Sequence, residues 1–138
     1  VHELNASLKI GTSWTVNSDF VFGNEDGAPV NGVKQLARWY GGFLSARFQA
    51  TDSLYFSPRV EVYVDETGFT LPAIPVLGIS QGQHITSYTL TEGYKVNSHF
   101  EARLEEKLDL STGQAFQSAP TSPLSRQGTV LLTAMFTM

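Results

Sequence analysis

Residues 97–111 read NSHFEARLEEKLDLS, and from His99 onward the side-chain chemistry switches at every second position. His99, Glu101, Arg103, Glu105, Lys107 and Asp109 are polar or charged. Phe100, Ala102, Leu104, Leu108 and Leu110 fill most of the gaps. A period of two belongs to a β-strand, whose successive side chains point to opposite faces. This strand therefore has one wet face and one apolar face, with Glu106 misplaced on the apolar one. A soluble sheet would turn the apolar face toward a core. A membrane barrel would turn it toward lipid. Alternation alone does not choose between them.

The same period recurs along the chain. Leu4, Ala6, Leu8, Ile10 and Trp14 oppose Glu3, Asn5, Ser7, Lys9 and Ser13. Tyr40, Leu44, Ala46, Phe48 and Ala50 oppose Ser45, Arg47 and Gln49. Val60, Val62 and Val64 oppose Arg59, Glu61, Tyr63 and Asp65, and Val130, Leu132, Ala134 and Phe136 oppose Thr129 and Thr133. Residues 84–95 alternate less cleanly, and 19–24 form a shorter run. Seven strands are predicted. No segment has a helical period, and residues 32–40 hold one helical turn at most. Three connections are short (15–19, 50–54 and 95–99), each with Asn or Asp followed by Ser, which suits a turn. Three are long (25–38, 66–83 and 111–127) and hold five of the six prolines. Strict alternation of short and long connections predicts an up-and-down meander with one tight and one elaborated end. Pro58, inside a strand, predicts a bulge. The apolar run 69–79 offers a further strand or a loop folded into the mouth, with its two prolines against a central strand.

The bulk properties narrow the classes. With 138 residues, the chain suits a single domain over residues 1–138. A net charge of −4 and a pI near 5.2 argue against a nucleic-acid partner. There is no cysteine, hence no disulfide framework and no thiolate metal site. No stretch approaches the ~18 apolar residues of a membrane helix, but barrel strands alternate and would show none. Val1 opens the sequence without a basic region and apolar run, so no signal peptide is expected within it.

Four features favour the inverted, lipid-facing arrangement. The strands run about 10–12 residues, close to what crosses a bilayer at a tilt. The polar faces carry both signs at close spacing, as in Arg59 with Glu61, Arg103 with Glu105 and Lys107 with Asp109, which suits a polar lumen where charges pair across strands. Trp14, Phe20, Phe56, Tyr94 and Phe100 gather near the short turns like an interfacial girdle. Long loops at one end and short turns at the other match outer-membrane barrels. Glu106 and, more mildly, Glu92 oppose this, since lipid makes a carboxylate costly.

Other chemistry was weighed. GISQG (78–82) matches the Gly-x-Ser-x-Gly nucleophile elbow, but a strand-like run follows Ser80 where a helix is needed, and no histidine follows Asp109. His2, His84 and His99 have no metal-ligand spacing. Glu101 and Glu105 share a face like a glycosidase pair, yet Arg103 and Lys107 beside them make salt bridging the better account. No phosphate-binding loop is present. No catalytic residue, metal or cofactor is predicted, and the chain is not expected to be an enzyme.

RLEEKLDLS (103–111) resembles the Arg-x-Glu-x-basic-x-Asp strand near the C-terminus of OmpL-like outer-membrane β-barrel porins. Arg103, Glu105, Lys107 and Asp109 match it position by position. The preceding strand (86–105), the hairpin over 43–68 and the final strand GTVLLTAMFTM are similar as well, so the resemblance covers about residues 38–138. Glu106 departs from it, because an aromatic or apolar residue is usual there, and so does the end, where Thr137 and Met138 follow Phe136. The resemblance implies an all-β, antiparallel up-and-down meander of about 7–8 strands. This would form a transmembrane-type barrel, or the C-terminal part of a larger one, in the outer membrane of a Gram-negative bacterium. If the short turns are periplasmic, the last strand ends in the periplasm and the first begins outside. Seven strands do not make a standard bacterial barrel, so a fragment, a missed strand and a soluble module with a seam all stay open.

The expected function is passive diffusion of small solutes through a charge-lined lumen. Lys9, Arg47, Arg59, Glu61, Glu101, Arg103, Glu105, Lys107 and Asp109 are the expected lining. The same residues would merely fill the interior of a complete eight-stranded barrel. The expected partners are membrane lipid and small solutes, with a homo-oligomer open. The alternative is a soluble barrel or sandwich that binds an apolar ligand or a partner protein. Loops serving as an adhesion surface are a third reading.

Overall fold

The computed structural model describes residues 1–71, 81–119 and 122–136. Seven strands form one antiparallel sheet: β1 (His2–Ile10), β2 (Trp14–Val30), β3 (Val33–Gln49), β4 (Leu54–Asp65), β5 (Gln83–Lys95), β6 (Phe100–Ser111) and β9 (Arg126–Phe136). A separate hairpin, β7 (Phe116–Ala119) with β8 (Ser122–Leu124), sits in the connection between β6 and β9. The sheet order β1-β2-β3-β4-β5-β6-β9 is the predicted meander, each strand beside its predecessor. The sheet does not close. β1 and β9 are both edges, as in part of a barrel. Helix is absent among the described residues, including 32–40.

Two connections differ from expectation. The first tight turn is at residues 11–13, where Gly11 adopts a positive φ of 61°. Residues 15–19 instead lie inside β2, with Thr15 opposite Lys9 and Asp19 opposite Asn5. Residues 25–38 are mostly not a loop: β2 and β3 stay paired out to Val30↔Val33 and turn on Asn31 and Gly32, with φ of 51° and 79°. Left-handed backbone at both central residues is what a two-residue hairpin turn requires, and Asn-Gly is the pair that adopts it most cheaply. A bulge between Glu25 and Ala28 kinks this projecting hairpin. The buried apolar cluster Ala28, Val30 and Ala37, flanked by Trp39, sits in the projection and not under the sheet.

The bulge predicted at Pro58 is absent. Ser45↔Arg59 and Phe48↔Phe56 keep one register across it, and Pro58 pairs with Leu90 on the other side. A proline removes one donor from the ladder; it inserts no residue, so the register survives. Residues 72–80, which include most of the 69–79 run and Gly78 to Ser80 of the elbow motif, lie outside the described residues.

Asp65 ends β4 and anchors the connection that follows. It is fully buried. Its Oδ1 accepts the backbone N–H groups of Thr67 (3.1 Å), Gly68 (2.8 Å) and Phe69 (3.1 Å). Its Oδ2 accepts those of Thr70 (2.7 Å) and Leu71 (2.9 Å), and the Thr70 hydroxyl at 2.9 Å. One carboxylate thus satisfies five amides that a tight, non-repetitive backbone leaves without partners. Replacing Asp65 by Ala is expected to release residues 66–71 while leaving the seven-stranded sheet intact. Limited proteolysis should show cleavage in that segment accelerated about tenfold or more, with circular dichroism unchanged.

Candidate functional site: the polar face of the sheet

Register converts the alternation into two continuous faces. At one level, Ala6, Ser18, Leu44, Val60, Tyr88 and Leu108 stand side by side. One residue along each strand, on the opposite face, Ser7, Asn17, Ser45, Arg59, Thr89 and Lys107 do the same. The apolar face is exposed even on interior strands, where Leu44 is 53% exposed, Tyr88 51%, Val62 44% and Leu108 42%, although Val64 at the long-connection end is buried. On the polar face Ser87 and Thr89 are 6% exposed and Asp109 7%, while the Arg59, Glu61 and Arg103 side chains are more open, at 36–38%. Phe48 and Leu104 are half-buried; Trp14 lies against Phe48 with ring centroids 4.7 Å apart.

Near the tight-turn end, the polar face carries a network over four strands. Tyr55 on β4 lies flat across Gly93 of β5, where any Cβ would meet its ring. From there its hydroxyl donates to Glu101 on β6 at 2.7 Å. The Arg103 Nε donates to the same carboxylate at 2.6 Å. The Arg47 guanidinium of β3 stacks over the Tyr55 ring, 3.6 Å from its centroid, and donates to Gln49 at 3.3 Å. An arginine over an aromatic face gains cation–π attraction, stronger where water is excluded, and Tyr55 is buried.

Further along, Arg59 pairs with Glu61 at 2.6 Å and Lys107 with Asp109 at 2.9 Å. Ser87 donates to Asp109, and Thr91 to Glu105 at 3.2 Å. The expected pairing of charges across strands is not made among the described residues, and Arg103 takes Glu101, two residues back on its own strand. All three ion pairs run along a strand. The reason is register, since the residues facing these charges on adjacent strands are mostly small and hydroxylated: Ser45 and Thr89 flank Arg59, and Thr89 and Thr129 flank Lys107. Two hollows open on this face. One, of about 350 Å³, is bordered by Asn17, Arg47, Tyr55, Thr91, Arg103 and Glu105. The other, of about 300 Å³, is bordered by Asn17, Ser45, Arg59, Thr89, Thr91 and Glu105.

The nine residues predicted from the sequence all lie on this one face by register. Eight engage in the interactions above. Lys9, on the edge strand β1, is exposed. Tyr55 and Asp19 were missed. Asp19 stands opposite Phe43 on this face, but 15–19 read as a turn. Tyr55 could be placed on the polar side, yet its role depends on Gly93 standing opposite, which only register supplies. Among the aromatics, Trp14, Phe56, Tyr94 and Phe100 do gather on the apolar side near the tight turns, joined by Phe48 and by Phe136, stacked on Phe100 at 4.8 Å. Phe20 does not; it pairs with Leu4, well up β2. Glu106 stays on the apolar face between Leu90 and Val130, exposed, in an unbroken register.

Adding a methyl group at Gly93 must displace Tyr55 from its seat. Gly93→Ala is expected to cost about 1–3 kcal/mol in chemical denaturation of the folded protein, and Tyr55→Phe, which removes only the Glu101 bond, about 1–2 kcal/mol. In the double variant the two costs should fall short of additivity.

Residues 1–138, the whole chain, match the family model described as "Putative beta-barrel porin-2, OmpL-like". No curated protein and no solved structure matches the chain.

Proposed function

The chain belongs to the OmpL-like β-barrel porin family, and on that premise we propose that it forms part of an outer-membrane barrel through which small solutes diffuse passively. Its polar face lines the lumen and its apolar face meets lipid. The observation that carries this reading is the inversion of burial: Leu44, Val62, Tyr88 and Leu108 on interior strands stay exposed, while Ser87, Thr89 and Asp109 on the other face are covered. A soluble sheet leaves its polar side to water; a barrel wall in lipid does the reverse. The aromatic band at the tight-turn end suits a membrane–water interface. The open edges of β1 and β9 support a wall that continues into further strands, and a barrel wider than eight strands leaves room for water. Lys9, Arg47, Arg59, Glu61, Glu101, Arg103, Glu105, Lys107 and Asp109 then bias which ions and solutes enter. No chemical turnover is involved. Glu106 opposes lipid at a cost, although a carboxylate costs less there than a cation.

One observation favours the soluble alternative, a barrel or sandwich binding an apolar ligand. A hollow of about 660 Å³ lies on the apolar face, bordered by Leu44, Val60, Tyr88, Leu90, Leu108 and Val130. The exposed apolar surface extends well beyond it, to Leu4, Phe20 and Val62, which a ligand-sized site does not explain and a lipid boundary does.

Two measurements test the reading. Val62→Arg is expected to lower folding stability in bilayers by about 2–4 kcal/mol if Val62 meets lipid near mid-depth; a change within about 0.5 kcal/mol marks a water-exposed site and sinks the membrane reading. In planar bilayers the full-length protein should give discrete conductance steps. Arg103→Gln, which leaves Glu101 without its cation, should raise the cation-to-anion permeability ratio about twofold. An unchanged reversal potential removes Arg103 from the lining.

A further inference from the structure

The alternating charges read along each strand become sign-segregated once the strands are set in register. From the tight turns upward, four neighbouring levels of the polar face hold Lys95 and Glu101, then Arg103, then Lys9, Arg47 and Glu105, then Arg59 and Lys107. That belt has six cations and two carboxylates, Glu101 being paired with Arg103. The next two levels toward the long connections hold Asp19, Glu61 and Asp109, then Glu3, with no cation. Beyond them lies Asp65, whose carboxylate is turned to the amides of the following connection. Two ion pairs straddle the boundary in the same sense: Arg59 to Glu61, and Lys107 to Asp109, each with its cation toward the tight turns. Their dipoles therefore add; the third pair, Arg103 to Glu101, points the other way but lies wholly within the cationic belt.

We infer that this wall makes a bipolar conduit, with a cationic zone on the tight-turn side abutting an acidic zone on the long-connection side. The inference rests on the porin reading above. From Arg103 to Lys107 the cationic zone covers roughly 14 Å of strand, and the acidic zone roughly 7 Å. Both compare with a Debye length of about 10 Å at 0.1 M salt, so each zone collects its own counterions: anions beside the arginines and lysines, cations beside the carboxylates. A voltage that drives both populations toward the boundary fills the conduit with ions; the opposite voltage empties it. Current then flows more easily when the long-connection side is positive. The same arrangement suits dipolar solutes, whose ammonium end rests on the Glu61 and Asp109 level and whose carboxylate end rests on the Arg59 and Lys107 level.

Single-channel recording of the full-length protein tests this. Orientation is read from the side on which protease trims the long connections. At 0.1 M salt the current with the long-connection side positive should exceed that at reversed voltage about twofold, and near 1 M, where the Debye length is about 3 Å, the asymmetry should vanish. Glu61→Gln with Asp109→Asn should bring the ratio toward one, and so should Arg59→Gln with Lys107→Gln. Channels with symmetric current, or with the opposite asymmetry, overturn the bipolar wall and leave the porin reading standing. A protein that inserts but never conducts overturns both. The wild-type recording decides the matter even if neither double variant folds.

Discussion

Backbone hydrogen bonding in one uninterrupted register is the constraint on which the rest of this structure depends. A strand offers two faces, and a slip of one residue between neighbours would move a whole set of side chains to the wrong side. Across β3, β4, β5, β6 and β9 no such slip occurs, even at Pro58. Every charged residue between Arg47 and Asp109 that alternation assigns to the polar side is therefore delivered to one surface. The single register shift in the main sheet, between Glu25 and Ala28, falls in the projecting hairpin, beyond the region where the two faces must stay distinct.

Given that register, the electrostatics follow from which residues face which. The acids and bases of β4 and β6 meet mainly small hydroxylated residues across the ladder, so they satisfy one another along the strand. The exception is instructive. Where β5 offers Gly93, the space above it admits a whole aromatic ring, and Tyr55 uses that space to reach β6, two strands away. Glycine weakens a strand by itself; here it seats the ring that joins Arg47, Glu101 and Arg103 into one group. Trp39 over Gly23 repeats the contact of ring and glycine at the base of the projecting hairpin.

The apolar surface does not behave as a core. The only cluster of buried apolar residues among those described lies in the β2–β3 projection, and most large aliphatic side chains of the sheet's apolar face stay exposed, Val64 being the buried exception. Such a surface costs free energy in water, at about 25 cal/mol per Å² of apolar area, a cost that the proposed lipid boundary would remove. Glu106 and Glu92 are the acidic exceptions on that surface of the sheet, and their unbroken register shows that no local irregularity removes them.

Much of the fold could be read from the sequence because a period of two is a local property. The β6 alternation, the number of strands in the main sheet, their meander order and the nine polar-face residues all followed from it. The turn at residues 11–13 and the extended β2–β3 hairpin did not. Asn31-Gly32 was a legible hairpin signal, but it was masked by Pro29 and by a run from Glu25 to Gly27 that resembles a loop until the bulge absorbs it. What the chain alone determined, then, was which side chains share a face within each strand, since that depends only on backbone geometry. Which strands' charges share a level, which arginine finds which carboxylate, and which face is left bare were decided by pairing between strands far apart in sequence. No local pattern contains that register.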